Sequence, residues 1–399
     1  MSMLLTLPAR MFAVARLSLL TIPQRLGTSL VIVVGIAGVV AMLVAMLAMA
    51  DGFRQTLSRT GHAERIIVVR GGSDNELASG LSREQADIVL QSAGLRRDDA
   101  GLPLASPELY FLAELRTRGE RNPSNVPVRA VSDLAFAVRP EWRLVEGRRF
   151  RPGTREVMIG RGAAGQFEQT ALGDWLPIRD GDWQVVGIFS TGGDVHESEL
   201  WVDAPLVQAI LKRSGVSSVT AVLDSATDFD DFAARLTSDP RLTVKVQRQN
   251  EYYAGQSAAL TAFIKGLGYT ITAIMAIGAI FAALNTMYSA VAARRVEIAT
   301  LRALGFGGGA VAGGVLLEAL LLAALGALAG MAVAWLAFNG MTVSTLNFQT
   351  FSQVAFAFRV TPGALLQGAV GALAIGLFGG LLPAWRAARA PLTGALRSG

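Results

Sequence analysis

The chain has 399 residues, 52% of them hydrophobic and 17% charged, where soluble domains carry about 25% charged residues, and its mean hydropathy is +0.42. Cysteine is absent, which excludes disulfides, thiolate catalysis and Cys-based metal sites. The formal charge of +5 comes almost wholly from arginine, and in so apolar a chain it points to cytoplasmic loops rather than to nucleic acid.

The stretch ARMFAVARLSLLTIPQR puts Arg10 and Arg16 on one side and Met11, Phe12, Ala15 and Leu19 on the other. It predicts an amphipathic interfacial helix ending at Pro23, within a cytoplasmic segment 1–27; a plain basic anchor is the alternative. Leu30 to Ala50 carries no charge and forms the core of a first span, 28–51. Residues 52–262 read as an α+β domain. Apolar-rich runs at 64–71, 155–160, 183–190, 199–203, 218–224 and 242–247 predict strands. Ser82 three residues before Gln85 makes a capping box, and the helix it opens stops at Gly94. DFDDFAARLTSDP predicts a second helix, closed before Pro240. The two ends of this stretch are expected to pair into one sandwich, with the middle forming a second lobe.

From about Asn250 helical sequence runs without a breaker into a second span, so that 52–262 ends in a stalk and the span covers 263–293. A charged segment follows at 294–308. A third span, 309–338, is interrupted only by Glu318. A loop at 339–363, a fourth span at 364–386 and a tail at 387–399 complete the chain. Arg10, Arg16 and Arg25 precede the first span, Arg294, Arg295 and Arg302 lie between the second and third, and Arg386, Arg389 and Arg397 follow the fourth. The loop between the third and fourth has Arg359 alone. The positive-inside rule places both termini and the 294–308 segment in the cytoplasm and the large domain outside.

Signals for chemistry on this chain are weak. No GxxxxGK[ST] occurs, so no P-loop is expected. GRGAAGQ at 160–166 lacks the Lys and Ser/Thr that would meet phosphate and metal, and reads as a loop. The histidines are His62 and His196, too few for a metal site without cysteine. Asp194, His196, Glu197 and Glu199 cluster in GGDVHESE, whose plain reading is a solvated loop. Two polar residues fall inside spans. Asn285 suits an interhelical hydrogen bond. A charged Glu318 facing lipid would cost at least about 2.5 kcal/mol, so it is expected to face protein, lie near the interface or be protonated.

One stretch is more specific. NTMYSAVAARRVEIATLRALGF, Asn285 to Phe306, resembles the hallmark of MacB/FtsX-type (type VII) ABC transporter permeases. Arg294, Glu297, Ile298, Leu301, Arg302, Ala303, Leu304 and Gly305 match an Arg-x-x-Glu-Ile-Gly-x-Leu-Arg-Ala-Leu-Gly pattern, with Ala299 in place of a glycine. GVLLEALLLAALGALAGMAVAW is similar to the family's third span, Glu318 included. PAWRAARAPLTGALRSG is similar to its ending, where a proline closes the last span. VMIGRGAAGQF, LGDWLPI, WQVVGIFSTGG and ELWVD resemble its periplasmic core domain.

The resemblance implies four transmembrane helices with a MacB-like periplasmic core domain between spans 1 and 2. It implies that Arg294, Arg295, Glu297, Ile298, Leu301, Arg302 and Gly305 form a coupling helix to a separate ATPase subunit, since this sequence carries none of its own. ATP and Mg then sit on that partner; no cofactor and no metal are expected on this chain, and it is not expected to be an enzyme. Arg295, Ile298, Ala299 and Arg302 share a helical face that would suit an acidic-rimmed groove. Further partners implied are a second permease copy or paralogue, a periplasmic adaptor and the lipid bilayer, in a bacterial inner membrane. The leading expectation is ATP-driven export by mechanotransmission. Lipoprotein release and control of cell-wall hydrolases are the alternatives within the family. Outside it, a membrane sensor would need a signalling domain and a membrane enzyme would need catalytic residues.

Overall fold

The computed structural model describes residues 26–119, 122–304, 306–347 and 349–389. The expected N-terminal amphipathic helix, Gly305 and most of the tail lie outside the described residues.

In chain order the elements are α1 (Leu26–Ser58), β1 (Arg65–Arg70), α2 (Arg83–Gln91), β2 (Ala105–Arg116), β3 (Pro123–Val131), α3 (Leu134–Val138), β4 (Arg143–Gly147), β5 (Glu156–Gly160), α4 (Arg161–Gln166), β6 (Trp175–Ile178) and β7 (Gly181–Ser190). A 3₁₀ turn at Val195–Ser198 leads to β8 (Leu200–Asp203), α5 (Ala204–Leu211), β9 (Ser218–Val222), α6 (Phe229–Ser238), β10 (Val244–Arg248) and α7 (Gln249–Ala293). Last come α8 (Arg295–Ala303), α9 (Gly308–Phe338), β11 (Thr342–Asn347), β12 (Ser352–Ala357) and α10 (Pro362–Ala388). The chain divides into two compact units.

The first unit is helical, built from the described parts of 1–51, 263–341 and 358–399. Four helices, α1, α7, α9 and α10, are long and apolar enough to cross a membrane. Small residues let their backbones approach. A Cβ on Gly376 of α10 would lie 2.5 Å from the Ala323 methyl of α9, and one on Gly330 of α9 would lie 2.5 Å from the Ala37 carbonyl oxygen of α1. Polar groups add two ties: Lys265 Nζ lies 3.1 Å from Asp51, and the Thr361 hydroxyl donates to the same carboxylate at 3.0 Å. The last span is not closed by proline. Pro383 lies inside α10, which continues to Ala388. Its ring must clear the carbonyl four residues back, which belongs to Gly379.

The second unit, 52–262 with 342–357, is α+β. A continuous sheet runs β10-β1-β9-β2-β3-β8-β5-β7-β4, with β6 on β7. As expected, the ends of the domain meet: β1 pairs antiparallel with both β10 and β9. The middle, β3 to β8, continues the same sheet rather than standing apart. Ile66, Val68, Val89, Phe232 and Leu236 form the core of the first lobe. Phe111, Val128, Ile159, Trp183 and Val202 form that of the second, and Phe136, Phe189 and Trp201 cover its other face. The capping box on α2 is formed, Ser82 accepting from the Gln85 N–H and Gln85 from the Ser82 N–H.

Three features correct the sequence reading. GRGAAGQ is not a loop but contains α4. Two of its glycines serve close approach: a Cβ on Gly160 would fall 2.3 Å, and one on Gly162 2.9 Å, from the Glu197 carbonyl oxygen. The 339–363 loop contains the β11–β12 hairpin, which belongs to the second unit. Asn75 donates to the Gln349 carbonyl at 2.9 Å, Asn125 to that of Phe351 at 3.0 Å, and the Ala355 N–H to Ser198 Oγ at 2.9 Å. The GGDVHESE segment is not solvated either: Asp194, His196 and Glu199 are all buried.

Candidate functional site

The charged segment between the second and third apolar helices is a helix, as its formers and spacing predict. Glu297 stands in the first turn of α8 and Arg302 in the last, each complementing the helix dipole. The Ile298 N–H donates to the Arg294 carbonyl at 2.9 Å, which starts the helix directly after α7 ends. Nine residues are too few to hold a helix alone, so it must be packed. Ile298 and Ala299 do that: they are 7% and 4% exposed, and Ile298 joins the helical unit's own core with Met287, Val311 and Ala387. Their face therefore points into the chain, not outward as the sequence reading had it. The open side carries Arg295, Val296, Glu297, Thr300, Ala303 and Leu304, with Val296 47% and Leu304 73% exposed. Leu301 and Arg302 are half-buried.

Arg294, between α7 and α8, is buried and reaches Glu318 of α9, Nη1 to Oε2, at 3.1 Å. Its Nε lies 3.9 Å from Glu297. Glu318 thus faces protein and has a cation. Asn285 is exposed on α7, so the interhelical hydrogen bond expected of it is not made among the described residues.

A second polar site lies inside the α+β unit. Arg129 of β3 is 1% exposed and meets three carboxylates. Its Nε and Nη2 donate to Glu199 at 2.8 Å each, Nη1 and Nη2 to Glu76 at 2.7 and 3.0 Å, and Nη1 to Glu108 of β2 at 2.7 Å. Arg139, after α3, takes both oxygens of Glu108 at 2.6 and 2.8 Å. The Ser218 hydroxyl donates to Glu76 at 2.6 Å and the Trp201 indole N–H to Glu199 at 2.8 Å. His196 sits between the halves: Nε2 accepts from Arg139 Nε at 3.4 Å, and Nδ1 lies 3.2 Å from Glu199. Burial alone would push the Glu108 carboxyl up, but the Arg139 and Arg129 guanidiniums overcome it and hold it at about 2. Glu199 is held lower by Arg129 against the same burial. Burial pushes Asp194 up. Among the described residues no group of acids and histidines could hold a metal ion.

Comparison with known proteins settles the family. Residues 27–239 match the MacB-like periplasmic core domain and residues 269–392 the FtsX-like permease C-terminal domain. The chain belongs to the MacB/FtsX-type ABC transporter permeases. Such permeases are the membrane component of ABC transporters and work with an ATPase. No curated protein matches this permease. Among solved structures it is similar to the extracellular domain of the noncanonic ABC-type transporter YknZ from Gram-positive bacteria, at 16% identity over 46% of this chain and 99% of that one, with a TM-score of 0.35. It is also similar to the periplasmic region of MacB from Actinobacillus actinomycetemcomitans, at 13% identity over 48% and 91%, with a TM-score of 0.36. The permease is a membrane protein whose α+β unit is of the extracytoplasmic type.

Sequence reasoning found the α8 segment of this permease but missed most of the Arg129 network. Glu199 and His196 stood out as a local cluster. Glu76, Glu108, Arg129 and Arg139 lie in four separate stretches with no motif around them. The weak signals were Arg129 and Glu108 themselves: each is a charge within a run of apolar strand residues.

Proposed function

We propose that this permease is the membrane half of an ATP-driven exporter working by mechanotransmission in a bacterial inner membrane. A separate ATPase, holding ATP and Mg, closes on α8. The α7 helix carries the movement to the α+β unit, which acts on a periplasmic or outer-leaflet substrate with a periplasmic adaptor. The four long apolar helices among the described residues suit assembly with a second copy or paralogue. The observation that carries the reading is the state of α8. One face is fixed to the chain's own core by Ile298 and Ala299, its root is held by Arg294 and Glu318, and the opposite face presents exposed Val296 and Leu304 beside Arg295 and Glu297. Exposed apolar residues rimmed by charge mark a protein contact.

The test is co-purification of an ATPase subunit with the permease in detergent or nanodiscs, with ATP turnover measured on the complex. Val296→Asp with Leu304→Asp should abolish both while leaving the permease folded. Wild-type co-purification and turnover in that variant would refute the docking of α8 on an ATPase.

A further inference from the structure

The Arg129 network lies where four parts of the α+β unit converge. β9 of the first lobe brings Ser218, and β2, which pairs with β9 and runs on into the core of the second lobe, brings Glu108. β3 and the approach to β8 in the second lobe bring Arg129 and Glu199. The loop before α2 brings Glu76, and the first turns of α7 bring Tyr252 and Tyr253. The β11–β12 hairpin joins next to them, Asn347 Nδ2 lying 3.4 Å from Gln256 Oε1 on α7.

Such a network is a poor way to gain stability, because apolar residues of the same volume often do as well. What it does is fix geometry. Seven charge-assisted bonds of 2.6 to 3.0 Å tie two guanidiniums to three carboxylates, so the strands that bear them move together or not at all.

The contacts from α7 differ in kind. They are neutral phenols. The Tyr252 hydroxyl accepts from the Glu76 N–H at 2.9 Å. The Tyr253 hydroxyl lies 3.5 Å from both Arg129 Nη2 and Glu76 Oε2. Both rings are buried, meet edge to face at 5.1 Å, and Tyr253 meets the His196 ring at 5.8 Å. The packed rings seat this end of α7, and the hydroxyls alone tie it to the network, so that a shift of α7 is passed on through them. Neither leaves a charge unpaired when α7 shifts.

We propose that the Arg129 network is the joint at which movement of α7 enters both lobes, with Tyr252 and Tyr253 as the positioning residues that hand it over. This rests on the transporter reading above. The test is hydrogen exchange by mass spectrometry on the permease with its co-purified ATPase in nanodiscs, nucleotide-free and trapped with ATP and vanadate. In the wild type, trapping should change uptake both at 295–303 and in the second lobe at 156–190. In Tyr252→Phe with Tyr253→Phe, which keeps the rings, nucleotide-free uptake should match wild type. The change at 295–303 should persist, and the change at 156–190 should be lost. A variant that retains the full change at 156–190 overturns the proposal, as does a wild type that changes at 295–303 alone. A wild type that changes at neither place overturns the transporter reading and the joint with it.

Discussion

Arg139 holds Glu108 through both carboxylate oxygens, at 2.6 and 2.8 Å, between side chains that are both wholly removed from solvent. Removing one partner of a buried pair strands the other, at a cost of about 3–5 kcal/mol. Arg139→Leu should therefore lower the melting temperature of the α+β unit clearly, read by thermal denaturation of the full chain in detergent. Arg241→Leu breaks an exposed pair with Asp239 and should leave the midpoint where it is. Equal midpoints for the two variants would refute the importance of the buried pair.

The same network sets a pH response. Glu108 and Glu141, the latter gripped by Arg65, are each held at about 2, below the ordinary 4.5, so the folded state binds fewer protons than the unfolded chain. Their contribution is present above about 4.5 and is lost as pH falls towards 2. Asp194 is shifted the other way and favours the folded state at low pH, but it is one group against several. The melting midpoint should fall between pH 4.5 and 2, and fall less steeply in Arg139→Leu. A midpoint that rises over that window would show that Asp194 outweighs the paired acids.

In the helical unit, Arg294 and Glu318 should behave as a coupled pair. Arg294→Leu or Glu318→Leu alone breaks the buried pair and should destabilise the helical unit, while the double change should cost less than the two single costs added together. Unfolding in detergent checks this through a double-mutant cycle. Strictly additive costs would mean the two residues act separately.

Helix packing gives a fourth expectation. Gly376→Leu drives a side chain into Ala323, where even a Cβ has only 2.5 Å, and overpacking of this kind costs about 1–3 kcal/mol or more. A Cβ on Gly278 meets nothing within 4 Å among the described residues, so Gly278→Leu is the control. The first should broaden or lower the melting transition in detergent and the second should not. A Gly376→Leu protein as stable as wild type would refute the close approach of α9 and α10.

How far the sequence was legible depended on whether a signal was local. The apolar runs, the Ser82 capping box and the helix over 295–303 are written in neighbouring residues, and the structure has them. Strands β2 and β3 were not read, because Pro107, Pro123 and Pro127 argue against strands and only tertiary pairing overrides them. The β11–β12 hairpin was missed for want of a turn signal in a stretch expected to be a plain loop. The burial of Ile298 is the sharpest miss. Helical spacing says which residues share a face, but it does not say what that face meets. The Arg129 network needed residues more than 100 positions apart to be placed together, which no pattern along the chain encodes.

The length of α7 bears on how the protein sits in lipid. Forty-five residues at about 1.5 Å each make a rod of roughly 68 Å. Its charge-free run from Gly266 to Ala293 is about 42 Å long, where the hydrocarbon layer is only about 30 Å thick. A helix cut to the bilayer is pinned by its polar ends; α7 is not. It has about 10 Å of apolar surplus, so it can slide along its axis or tilt without drawing Lys265 or Arg294 into hydrocarbon. Changes in bilayer thickness should therefore shift where α7 sits along the membrane normal, so that lipid composition helps to set its depth.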